Sequence, residues 1–299
     1  MERKREKMQI SECSFSGIPK CLKLSDGRIE LVVTLSFGPR IISCTLDGGE
    51  NFFRVFDHIT NADPDKWNIY GGHRLWIAPE IDERTKVPDN NEVKYSVEEG
   101  KVILETEVDP ANRIVKRIAI AIEEGKVKLT HTIVNCDIWP KDLAVWTLSV
   151  MAPGTTAVIP QEEYLAPGNG PGKSLLPVRS VSLWGYTDMS DPRFTWGKKS
   201  IQLREAGAVE NVPVKFGVLN KRNFAAAFNQ AGCLVKRFDY VAGREYPDFG
   251  CNWEFYTTPG MLEVETLSPM YRVEPGMSVS SCEEWELYKE IPEFVKELL

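Results

Sequence analysis

Arg117-Ile118-Ala119-Ile120-Ala121-Ile122 and, shortly after, Val127-Lys128-Leu129-Thr130-His131-Thr132-Ile133 are the two runs that decide the fold. In the first, three isoleucines alternate with Arg117, Ala119 and Ala121. In the second, Val127, Leu129, His131 and Ile133 take one side while Lys128, Thr130 and Thr132 take the other. Successive side chains on a strand point to opposite faces, so a period of two reads as β-strand and not as helix. Working outward, Leu104 and Val108 oppose Glu105 and Glu107 in the same way, and β-rich runs recur at 29–36, 40–46, 51–56, 92–98, 143–151, 213–219, 223–229, 252–257, 261–267 and 278–288. Turns such as Asp47-Gly48-Gly49 and Glu98-Glu99-Gly100-Lys101 punctuate them. The pattern predicts an all-β chain, a large antiparallel two-sheet sandwich. Helix is expected only at the tail, with Pro292 in the first turn of a short helix ending at Leu299. Three long loops, at about 57–91, 160–178 and 185–199, interrupt the rhythm; loops of that length in a compact domain are usually functional or disordered.

The chain has 299 residues, 42% of them hydrophobic and 26% charged, which excludes a disordered or fibrous protein. No composition shift marks a linker, so residues 1–299 read as a single domain, with 1–7 a frayed leader. Thirty-six basic against 43 acidic side chains leave a net charge of −7, the wrong sign for a nucleic-acid partner. No run approaches the ~18 apolar residues of a membrane helix, and Met1–Met8 has no apolar core of a signal peptide. Seven widely spread cysteines without a CxxC pair suit neither a disulfide framework nor zinc, and point to the cytoplasm.

Two stretches concentrate chemistry. Gly71-Gly72-His73-Arg74-Leu75-Trp76-Ile77-Ala78-Pro79-Glu80 packs an imidazole, a guanidinium, an indole and a carboxylate into one segment of the first long loop. Imidazole exchanges protons near neutral pH and guanidinium offers planar donors to hydroxyl oxygens. The plainer alternative is a loop pinned on the core by Trp76, with Arg74 and Glu80 paired. In Met261-Leu262-Glu263-Val264-Glu265-Thr266-Leu267, alternation puts Glu263 and Glu265 on one face, either as a general base with a carboxylate neighbour or as a solvated sheet face. Gly168-Asn169-Gly170-Pro171-Gly172-Lys173-Ser174 ends like a phosphate loop, but Pro167 holds the first glycine's place. His58, His73 and His131 have no metal-ligand spacing, and His131, on an apolar strand face, reads as a core histidine. Trp139, Trp146, Trp184, Trp196 and Trp253 fall in or near predicted loops, where indoles suit sugar rings or fill the core.

In order and spacing the chain resembles the galactose mutarotase-like superfamily, which includes the aldose 1-epimerases. The resemblance rests on Phe37-Gly38-Pro39-Arg40-Ile41-Ile42-Ser43 with Asn51-Phe52-Phe53, on Lys128-Leu129-Thr130-His131-Thr132-Ile133-Val134-Asn135, on Leu262-Glu263-Val264-Glu265-Thr266-Leu267-Ser268-Pro269, and on Glu274-Pro275-Gly276 through Trp285-Glu286-Leu287-Tyr288. The Gly71–Glu80 segment is closer to an uncharacterised branch than to true epimerases. The resemblance implies a small-molecule carbohydrate ligand, no cofactor and no metal. It implies Glu263 as the base that removes the anomeric hydroxyl proton, and leaves His73 as the only imidazole available as acid. Trp146 stands where the epimerases carry a second histidine, which favours the alternative of a non-catalytic carbohydrate-binding or sugar-sensing protein. On either reading the expected ligand contacts are Arg74, Trp76, Trp146 and Glu265, with Lys215 and Asn252 on strands ending near the same face. Arg40 is expected instead in a buried ion pair.

Overall fold

Alternation on this scale can only be satisfied by sheets whose apolar faces meet. The structure, a computed structural model, describes residues 8–60, 63, 65–163, 177–206 and 212–299. Two antiparallel sheets make up the molecule. The first runs in the order β1 (Gln9–Phe15), β2 (Ile18–Ser25), β3 (Ile29–Thr34), β4 (Arg40–Leu46), β5 (Gly72–Ala78), β10 (Lys141–Met151), β19 (Met261–Leu267), β18 (Trp253–Thr258), β15 (Val214–Val218), β12 (Val181–Leu183), with β20 (Tyr271–Val273) beside β10. The second runs β13 (Phe194–Trp196), β14 (Ser200–Arg204), β11 (Thr156–Pro160), β16 (Phe224–Asn229), β17 (Gly232–Arg237), β21 (Ser278–Tyr288), β9 (Lys126–Asn135), β8 (Ile114–Glu123), β7 (Lys101–Glu105), β6 (Lys94–Glu98). One apolar cluster takes side chains from both, among them Leu75, Val145 and Leu262 from the first and Ile118, Leu129 and Trp285 from the second. The all-β sandwich expected from the alternation is the observed architecture. Among the described residues no helix is long and apolar enough to cross a membrane, and the tail helix is a single turn, Glu293–Lys296, with Pro292 as its N-cap.

The main correction concerns the first long loop. Residues 72–78 are not loop but β5, near the middle of the first sheet, paired with β10 along its whole length. Every residue of β5 is buried, because both of its faces are covered, so the apolar–polar alternation that betrays a half-exposed strand is missing. Gly71 and Gly72 open this segment. They are there for close packing: both have positive φ, and a Cβ on either would collide with the main-chain oxygen of Arg54 or of Ile41. Conversely, 51–56 forms only isolated bridges at Phe53 and Val55. The third loop contains the short β13. The phosphate-loop look-alike at 168–174 lies outside the described residues. All seven cysteines are free.

Candidate functional site

The central strands of the first sheet bury polar groups on both faces. Pairing register assigns them, since directly opposed residues share a face. One row across the outer face is Arg74, Leu148, Glu265, Glu254 on β5, β10, β19 and β18. The next is Gly72, Val150, Glu263, Tyr256, Lys215, ending on β15. Trp76 and Trp146 are also paired, with their rings edge to face at 5.2 Å. The inner face, toward the second sheet, carries the residues in between: His73, Thr147, Ser149 and Thr266.

On the outer face the Arg74 guanidinium donates from Nη2 to Glu263 Oε1 at 3.0 Å. It also lies 4.2 Å from the Trp76 ring centre and 5.5 Å from that of Trp67. Glu265 Oε2 accepts from Trp146 Nε1 at 2.8 Å and from Lys215 Nζ at 3.2 Å. Lys215 Nζ is also 2.7 Å from Glu254 Oε2 and sits over the rings of Trp146 and Trp184, at 4.8 and 4.6 Å. These groups are nearly all buried, yet several atoms are left over. Among the described residues, Arg74 Nε and Nη1, Glu265 Oε1, Glu254 Oε1 and Trp67 Nε1 have no hydrogen-bond partner. Buried polar atoms are normally satisfied, so a cluster of exceptions on one face invites a ligand or water.

Charge on this face is also out of balance, with Glu254, Glu263 and Glu265 against Arg74 and Lys215. Burial pushes the Glu263 carboxyl above its ordinary range; Arg74 pulls it back and Glu265 pushes further, with a net rise. Burial pushes Glu254 up still more strongly, Lys215 opposing and Glu265 adding. Burial would lower the Lys215 amine, but Glu265 and Glu254 outweigh it and hold the proton on.

The inner face is different in kind. His73 Nδ1 pairs with Ser149 Oγ at 2.9 Å, and its Nε2 lies 2.7 Å from His131 Nε2, which β9 sends across from the second sheet. Lys236 Nζ donates to Ser149 Oγ at 3.1 Å and to the Val264 carbonyl at 3.2 Å, and is 3.1 Å from Glu283 Oε1. Glu283 also accepts from Thr147 and Thr266, and from Trp285 Nε1 at 2.7 Å. Burial and neighbouring cations lower the His73 and His131 imidazoles, His131 to about 4 despite the nearby Glu283. Both histidines are therefore neutral at pH 7. His73, His131 and Glu283 bring ligand atoms within 4.8 Å of one another. Two nitrogens on one zinc ion at ~2.0–2.1 Å would stand roughly 3.3 Å apart. The observed 2.7 Å is hydrogen-bond spacing, and the Lys236 ammonium already supplies the cation for Glu283.

Of the residues singled out from the sequence, Arg74, Trp76, Trp146, Lys215, Glu263 and Glu265 meet on the outer face. His73 does not: it is the strand neighbour of Arg74 and therefore points the opposite way, into the sandwich. Asn252 is spent elsewhere, its Oδ1 accepting from the Asn220 amide at 2.7 Å and its Nδ2 donating to the Asn220 carbonyl at 2.8 Å. Arg74 pairs with Glu263 and not with Glu80. Arg40 makes the expected ion pair, with Asp89 at 2.7 Å. His131 is a core residue, though its Nδ1 has no partner among the described residues. Trp253 is core rather than loop, while Trp139 is well exposed. Sequence reasoning missed Glu254 and Tyr256, whose alternation on β18 matches that of Glu263 and Glu265 on β19.

No protein-family model matches the chain, and a search of curated proteins finds no match. Solved structures do. A galactose mutarotase-like protein from Lactobacillus casei aligns at TM-score 0.58 with 9% identity, over 90% of this chain and 100% of that one. A mutarotase candidate from Salmonella typhimurium aligns at 0.56 with 10% identity, over 94% of each chain. A candidate aldose 1-epimerase from Escherichia coli aligns at 0.55 with 11% identity, over 94% and 99%. Identities this low speak for architecture alone. On that architecture, matched across nearly the whole chain, this protein has the galactose mutarotase-like fold.

Proposed function

We propose that this protein binds a small neutral carbohydrate on the outer face of its first sheet and interconverts the sugar's anomers with Glu263 as the base. The observation that carries the reading is the set of unsatisfied buried atoms there, the Arg74 donors and the Glu254 and Glu265 acceptors, framed by Trp76 and Trp146. Hydroxyl groups of a sugar both donate and accept, and a sugar's C–H face suits an indole. The carboxylate excess disfavours a phosphorylated ligand.

Glu263, with its carboxyl raised toward neutrality, would take the anomeric hydroxyl proton. The bond from ring oxygen to anomeric carbon then breaks, the aldehyde rotates, and closure on its other face returns the proton. The ring oxygen needs a donor, and with His73 on the inner face that role falls to Tyr256, directly opposite Glu263. Burial, then Glu263 and Glu265, keep its phenol protonated. The second reading, a sugar-binding protein without this chemistry, is favoured by the lack of any imidazole beside Glu263 among the described side chains.

Calorimetric titration with glucose, galactose and their 6-phosphates tests binding, and polarimetry on freshly dissolved sugars tests turnover. Binding of a neutral sugar, weakened about 10- to 100-fold by Arg74→Ala, supports the site. Binding without faster mutarotation selects the second reading, and preference for the phosphates sinks the neutral-ligand assignment.

A further inference from the structure

The inner face of β8 reads Ile114, Lys116, Ile118, Ile120: a lysine in line with isoleucines that pack into the core. Lys116 is 7% exposed and, among the described residues, makes no hydrogen bond or ion pair through its ammonium. The carboxylates near it have other partners, although Asp89 Oδ1 makes no hydrogen bond among the described residues. Asp89 is held by Arg40 at 2.7 Å, and Glu107 is 3.3 Å from Lys94. Glu92 pairs with Lys20. Asp109 caps its own loop, accepting from the Ala111 and Asn112 amides at 2.8 and 3.0 Å and from Asn112 Nδ2 at 2.8 Å. Arg40 and Arg74 oppose a further positive charge here.

Lys116 lines a cleft of about 280 Å³, just below the usual ~300–1,000 Å³ range of small-molecule sites. Val87, Pro88, Val108 and Pro110 supply apolar wall. The residue is buried overall and its ammonium, without a hydrogen-bond partner among the described residues, is a cation at the cleft wall. Burial pushes the amine down, and the pull of Asp89 and Asp109 does not restore it.

We propose that this cleft binds a short-chain organic acid, its carboxylate on the Lys116 ammonium and its apolar stem against Val87, Pro88, Val108 and Pro110. The site is separate from the sugar face and does not depend on that reading. Since the carboxylate recognises the protonated amine, affinity falls as pH rises through the amine's lowered pKa, below the ordinary ~10.4 of lysine.

Calorimetric titration of the full chain with pyruvate, and with inorganic phosphate as a stemless anion, tests the proposal. Saturable pyruvate binding at least about tenfold tighter than phosphate, falling with pH, is expected. Lys116→Met should abolish it while keeping or raising the melting temperature, because the buried stem is retained and no ion pair is lost. Val108→Trp fills the cleft with Lys116 in place and should also block pyruvate. No saturable pyruvate binding, equal binding of phosphate, or undiminished binding in either variant overturns the proposal. So does a lower melting temperature for Lys116→Met, which would make the lysine a structural counter-charge to Asp89 and Asp109.

Discussion

The two faces of β5, β10 and β19 carry polar clusters of similar size and comparable burial, yet their accounts close differently. Inside, Glu283 gathers Lys236, Thr147, Thr266 and Trp285; burial alone would raise its carboxyl, but Lys236 and the histidines hold it far below the ordinary range. Outside, carboxylates outnumber cations, Glu254 and Glu263 are pushed up, and donor and acceptor atoms are left over. Burial is thus no guide to function by itself. A satisfied buried network rigidifies a fold, and an unsatisfied one waits for something. In this molecule the Glu283 network belongs to the first kind, with His131 Nδ1 its one atom left over among the described residues, and Glu263 belongs to the second.

That contrast can be broken at either face. The largest expected effect is on turnover: Glu263→Gln should slow mutarotation by roughly 10²–10⁴-fold, the usual worth of a positioned base, with a much smaller change in sugar affinity. Glu265→Gln, on the same face, is the control; equal losses in both variants would reassign the base. Inside, Lys236→Met strands the Glu283 carboxylate and should cost about 3–5 kcal/mol in urea unfolding. A loss under about 1 kcal/mol would mean that the inner network is not the satisfied one.

The pH dependence sharpens the comparison because the faces have opposite signs. His131 titrates near 4 in the folded protein against ~6.5 unfolded, so the unfolded chain takes up protons first as pH falls. Stability is therefore lost between about pH 6.5 and pH 4, by about 3 kcal/mol for this histidine. Denaturant melts across that range check it, and a flat profile would place the histidines in a more polar setting. Raised carboxyls work the other way: their stabilisation is complete below the ordinary carboxyl range and is lost as pH rises through the raised value. The smallest effect follows. Glu254→Gln puts an amide that cannot ionise in place of a carboxyl that burial pushes up, so in denaturant melts the variant should gain on the parent as pH rises through that raised value.

The sandwich was legible from the alternating strands, because β8 and β9 keep one face apolar and print their period in the sequence. Strand β5 was not, because its two faces are both covered and each carries a charged or titratable group. Reading Gly71–Glu80 as a loop put His73 and Arg74 in one ligand site, when a strand must separate them. Of the six residues that do meet, Glu263 and Trp146 came from the resemblance, Glu265 from its alternation with Glu263, Lys215 from its strand, and Arg74 and Trp76 from residue types in a segment read as loop. Glu254 and Tyr256 were missed because nothing in β18 shows which strand lies beside it, and only pairing with β19 makes them neighbours of Glu263.

The phase of β5 has a consequence for how such a chain can diverge. Substitutions change one face at a time, but a single residue inserted between Gly72 and His73 would exchange the faces along the rest of the strand, turning Arg74 inward against His131 and His73 out toward Glu263. Length variation among descendants of this chain should therefore collect in the connections and stay out of this strand, even where little else in the sequence is retained.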